Sequence, residues 1–143
     1  MPNKKHETHS ISSINALFEQ SGGGCLSFTK EYRSILFRAL SKLPREISEW
    51  AVEKLVFLSD MDKFSAYTVN IEDLLGKGKV GIVVLCSSLK LQPEELQAFT
   101  IAHEVAHVKL KHATTFSDLS LMKKRELLDE KEADELAKAW LLQ

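Results

Sequence analysis

His103, Glu104 and His107 stand in the run Ile101-Ala102-His103-Glu104-Val105-Ala106-His107-Val108. On a helix turning about 100° per residue, positions four apart differ by about 40°, so the two imidazoles share one face, one turn above the other. Imidazoles at that spacing can hold one tetrahedral Zn²⁺, and Glu104, offset to one side, can reach a water beside the ion. The surroundings argue against coincidence. In the run AFTIAHEVAHV (98–108), Thr100 is the only polar residue besides these three. A helix apolar nearly all round has to be buried, where unpaired imidazoles and an unpaired carboxylate cost free energy unless they share a partner.

A catalytic zinc takes three protein ligands and keeps one position open, so a third ligand is required. His112 is nearest in sequence, but it lies about 140° round the helix from His107 and could coordinate only after the helix ended and turned. The acidic C-terminal run DEKEADELAKAWLL (129–142) offers better. Ala133, Leu136, Ala137, Trp140 and Leu141 define an apolar stripe there, and Glu130, three and seven residues before Ala133 and Ala137, falls inside it. Glu132 and Glu135 point elsewhere. Asp134, one turn past Glu130, stands at the stripe's edge, where it could hydrogen-bond the second nitrogen of a histidine ligand. Asp129 also lies near the stripe.

His103-Glu104-Val105-Ala106-His107 followed by Glu130-Lys131-Glu132-Ala133-Asp134 resembles the gluzincin arrangement, HExxH plus a glutamate on a later helix. The segment FTIAHEVAHVKLKH after a strand and a loop is similar to the ImmA/IrrE-type metallopeptidases, and the ExxAD ending is similar to the HtpX-like peptidases. The resemblance covers roughly residues 80–141. It implies His103, His107 and Glu130 as Zn²⁺ ligands and Glu104 as general base of a metallopeptidase acting on a peptide or protein substrate. Three features depart from these families: Ala106 replaces the glycine of their HE-x-Gly-His, the membrane helices of the HtpX type are missing, and no helix-turn-helix segment of the kind some ImmA/IrrE proteins carry is evident in the first 90 residues. For an oxyanion donor, Tyr67 and His112 are the candidates. The competing reading is a non-enzymatic zinc-stabilised protein-interaction module. Glu104 separates the two, because a structural site needs no base and fills all four positions.

The elements that must position these groups follow from periodicity. Ile11, Ile14, Leu17 and Phe18 suit a short helix over 11–20, set off by the glycine run 22–24. Tyr32, Ile35, Leu36, Ala39, Leu40 and Leu43 recur at helical spacing over 29–43, and Pro44 opens a second helix burying Ile47, Trp50 and Ala51. Strands are predicted at 54–59, 65–71 and 80–87, the last two joined by the loop LGKGK (75–79). A helix follows Pro93, and a last one runs from about Met122 to the C-terminus. The expected fold is α+β. It is a minimal zincin core with a small antiparallel three-stranded sheet packed on the HExxH helix and a C-terminal glutamate-bearing helix, preceded by two N-terminal helices. Residues 1–25 read as a flexible N-terminal segment and 26–143 as one domain. The gluzincin resemblance implies an edge position for strand 80–87, where a peptide could pair with it, while its sequence GIVVLCSS is equally what a buried core strand needs.

The remaining composition excludes several roles. Charges nearly balance, 19 Lys+Arg against 20 Asp+Glu, with no basic block beyond Lys123-Lys124-Arg125, so a nucleic-acid partner is not expected. The longest apolar run falls far short of the ~20 residues that cross a bilayer, and MPNKKHETHS has no apolar signal core, which predicts a soluble, cytoplasmic protein without a membrane partner. Cys25 and Cys86 form no CxxC pair and predict neither a disulfide framework nor a thiolate zinc site.

Overall fold

The computed structural model describes residues 7–20, 25–26, 29–60, 67–74, 78–111 and 119–142. In chain order they form α1 (Ile11–Gln20), β1 (Cys25–Leu26), α2 (Lys30–Ser41), α3 (Arg45–Lys54), β2 (Leu55–Asp60), β3 (Tyr67–Leu74), β4 (Lys79–Cys86), a 3₁₀ turn (Ser87–Leu91), α4 (Glu94–Lys109) and α5 (Leu119–Leu141). The fold is α+β and mostly helical.

Local chemistry sets the helix boundaries. The Thr29 hydroxyl accepts from the Tyr32 backbone N–H and starts α2. Pro44 and Pro93, whose missing N–H costs nothing at a helix entry, precede α3 and α4. Helix α4 ends at Leu110, and Lys111 then takes a positive φ of 58°, turning the chain away.

The sheet differs from the expected antiparallel triplet. It is a mixed four-stranded sheet in the order β1-β2-β4-β3, with β1 and β4 parallel to β2 and only β3 antiparallel to β4. The reason lies in which strands need cover. Leu55, Val56 and Phe57 of β2 and Val83 to Cys86 of β4 are buried as continuous runs, so both faces of these strands are covered there and they pair at the centre. The β3 sequence, with Asn70, Glu72 and Asp73, takes the edge. Strand β4, expected at the edge, is flanked on both sides and has no open backbone edge for a peptide.

Helix α4 is the hub, packing against α2, β3, β4 and α5. Ile101, Ala102, Val105 and Ala106 are fully buried. Ile14 and Phe18 of α1 are buried too, with Phe18 stacked on Phe37 at 5.2 Å between ring centroids. The Tyr32 hydroxyl donates to the Cys86 carbonyl at 2.7 Å, tying α2 to the end of β4.

Gly81 sets how closely α4 approaches the sheet. A Cβ there would lie 2.8 Å from Val108 Cγ1 and 3.2 Å from Leu55 Cδ2. Val108 follows the second histidine of the motif, so any shift reaches the histidine pair. Gly81→Ala is therefore expected to cost about 1–3 kcal/mol by overpacking, read as a lowered thermal midpoint; an unchanged midpoint would show that α4 does not depend on this close approach.

Candidate metal centre

Helix α4 carries His103 and His107 on one face, as their spacing predicts, and their rings meet edge to face with centroids 4.6 Å apart. Helix α5 supplies the third group. Ala133 and Ala137 are fully buried and Trp140 nearly so, which turns Glu130 toward α4. The Nε2 atoms of His103 and His107 are 3.0 Å apart. Glu130 reaches both, with Oε2 at 2.9 Å from His103 Nε2 and Oε1 at 3.0 Å from His107 Nε2. His103, His107 and Glu130 are thus brought together as one set of donor atoms that could hold a metal ion.

Asp134 acts on the outer side. Its Oδ1 lies 2.7 Å from His103 Nδ1. That nitrogen has no aligned hydrogen bond, so closeness and charge rather than direction define the contact. A carboxylate at Nδ1 favours the proton there, leaving the Nε2 lone pair turned toward Glu130 and His107.

This proton count makes the centre a test of its own contents. With the lone pair of His103 Nε2 facing a carboxylate oxygen at 2.9 Å, two acceptors oppose each other. If His103 Nε2 is protonated instead, a protonated His107 Nε2 sets proton against proton across the 3.0 Å contact, and an unprotonated one sets its lone pair against an ionised Glu130 Oε1 at 3.0 Å. A cation among the three atoms satisfies every lone pair at once. Ligands about 2.0–2.1 Å from a tetrahedral ion stand roughly 3.3 Å apart, a few tenths of an ångström wider than these donors, so the residues fit such an ion with a small expansion.

Glu104 is buried, 7% exposed, and has no hydrogen-bond partner among the described residues. Loss of solvent pushes its carboxyl up to about 8, and the Glu130 charge adds to the rise. A cation held by Glu130 and the histidines opposes both effects.

Of the other predicted residues, His112 lies outside the described residues. Tyr67 begins β3, and its side chain lies outside the described ones. Ala106, at the glycine position of the resembled families, is fully buried. Lys109, in the last turn of α4, carries its ammonium over the Trp50 ring at 4.5 Å from the centroid. Phe99 was not singled out by its sequence; its ring centroid lies 6.2 Å from that of His103, and its place four residues upstream on the same helix was the available signal.

No protein-family model, curated protein or solved structure matches this chain. The functional reading therefore rests on the residues themselves. Among the described residues no helix is long and apolar enough to cross a membrane.

The roles assigned to α5 separate two similar glutamates. Glu130→Gln is expected to weaken zinc retention at least tenfold, in the range seen when a metal site loses a supporting group, while Glu132→Gln leaves it within about twofold. Competition with a chromophoric chelator measures both, and equal effects would refute the assignment of Glu130.

Proposed function

We propose that this protein is a zinc-dependent metallopeptidase of the gluzincin type, hydrolysing peptide bonds in a polypeptide substrate. One observation carries the reading: a buried glutamate, with no hydrogen-bond partner among the described residues, adjoins a histidine of a His-His-Glu donor set. Two imidazoles and one carboxylate are a donor set of catalytic zinc sites, which keep a position open for substrate and water. A purely structural site has no use for Glu104.

His103, His107 and Glu130 would hold Zn²⁺, which when bound supplies Lewis acidity toward a water molecule and a peptide carbonyl. Glu104 takes the proton from the attacking water as its oxygen adds to the carbonyl carbon. The same carboxyl then gives the proton to the amine nitrogen as the C–N bond breaks. Asp134 keeps the His103 ring turned so that Nε2 faces the donor set. Glu130 is 51% and Asp134 45% exposed in their side chains, so the centre opens toward solvent on the α5 side, as a polypeptide substrate requires.

A mixed peptide library incubated with zinc-loaded protein and followed by mass spectrometry tests this. Cleavage is expected from the parent chain and is expected to fall about 10²–10⁴-fold in Glu104→Gln with zinc retained, the range for loss of a general base. Equal cleavage by the variant, or none by the parent, would contradict the proposal.

A further inference from the structure

The face of α4 that carries the histidines continues toward the start of the helix. Thr100 precedes His103 by three residues and Glu104 by four, so it neighbours both, at about 5–6 Å between Cβ atoms. At about 100° per residue, Thr100 lies about 60° round from His103 on the His107 side, and Leu96 about 20° round, in line with the donor set. Among the described residues this part of the face is partly open. Thr100 and Gln92 are half-buried, and Leu96 is 46% exposed.

Thr100 and Gln92 are joined. The Thr100 hydroxyl donates to Gln92 Oε1 at 3.3 Å, across the entry to the helix. Gln92 is also fixed from behind, because its backbone N–H donates to the Leu89 carbonyl at 3.1 Å. The same carbonyl accepts from Gln97 Nε2 at 3.1 Å, and Leu89 is fully buried. A carboxamide is thereby held against a hydroxyl one turn from Glu104, with the aliphatic surface of Leu96 on the same face.

The chemistry of the pair selects what it takes. Their shared bond uses one group of the Gln92 amide and leaves the other, together with the second capacity of the Thr100 hydroxyl, for a further partner. Exchanging the amide's oxygen and nitrogen reverses the bond and keeps this property. A carboxamide side chain carries donor and acceptor together and matches the pair either way, whereas a carboxylate offers only acceptors, an ammonium only donors and an aliphatic chain neither. Thr100 stands about 4.5 Å along the helix axis from His103. An extended polypeptide advances about 3.3 Å per residue, so the pair meets a side chain within two residues of the bond being cut.

We infer that Gln92 and Thr100 form a side-chain subsite beside the metal centre that selects polypeptides with glutamine or asparagine within two residues of the scissile bond, Leu96 supporting the aliphatic stem. This rests on the metallopeptidase reading of the centre. The pair touches a substrate side chain and not the reacting atoms, so it sets which peptides are cut and leaves the chemistry to Glu104 and the donor set.

The zinc-loaded full chain is given a randomised peptide mixture, and mass spectrometry locates the cleaved bonds. Matched peptides that differ only by Gln, Leu or Glu at each of the two positions on either side of the cut then give ratios of kcat/KM. The parent chain is expected to favour Gln over Leu and Glu about tenfold at one of these positions, the effect of one or two net hydrogen bonds. Thr100→Val and Gln92→Leu are each expected to bring that ratio within about twofold, and Thr100→Ser to keep it. Loss of folded or zinc-loaded protein lowers both rates alike and leaves their ratio unchanged, so the ratio reads the subsite alone. Cleavage without a carboxamide preference, or a preference that survives in Thr100→Val or Gln92→Leu, overturns the inference and leaves the peptidase reading standing. No cleavage of any peptide overturns both.

Discussion

Two imidazole nitrogens and a carboxylate, facing one another at 2.9–3.0 Å across the α4–α5 contact, are the constraint around which the molecule is arranged. With Glu130 ionised, no distribution of protons among neutral imidazoles satisfies all three contacts, whereas one cation does. The rest of the architecture holds α4 still. Helix α2 and strands β3 and β4 pack against it, Gly81 lets Val108 settle on the sheet, and the proline before Glu94 fixes where the helix begins.

Burial gives these groups their chemistry and also their cost. Ionisable side chains in the interior are tolerated when they are paired or bind metals. The histidines and Glu130 face one another as a donor set that could hold a metal ion, while burial shifts the protonation equilibrium of Glu104 upward. Partial exposure of Glu130 and Asp134 keeps one side of the centre open. A rigid, buried α4 and a half-exposed α5 thus divide the tasks of fixing the histidines and admitting other molecules.

Much of this was legible in the sequence because it depends on helical period. The spacing of His103 and His107 and their apolar surroundings set the α4 face, and the Ala133/Ala137/Trp140 stripe favoured Glu130 among five neighbouring acids, with Asp129 left near it. The same stripe put Asp134 at its edge one turn on, and the structure sets it beside His103. Strand order was not legible. Alternation and turn residues identify strands and the β3–β4 hairpin, but the pairing of β2 with β4 is decided by which runs can be covered on both faces, a tertiary property. Lys109 shows the same limit, since its partner Trp50 lies on α3, distant in sequence.

The coordination sphere itself provides the most direct measurement. X-ray absorption at the zinc edge on protein purified from zinc-replete medium should show one zinc with two imidazole nitrogens at about 2.0–2.1 Å and carboxylate oxygen at about 2.0–2.2 Å, with Glu130→Gln altering the oxygen shell. Protein that carries no zinc, or zinc whose shell lacks two imidazoles and is untouched by Glu130→Gln, would contradict the account.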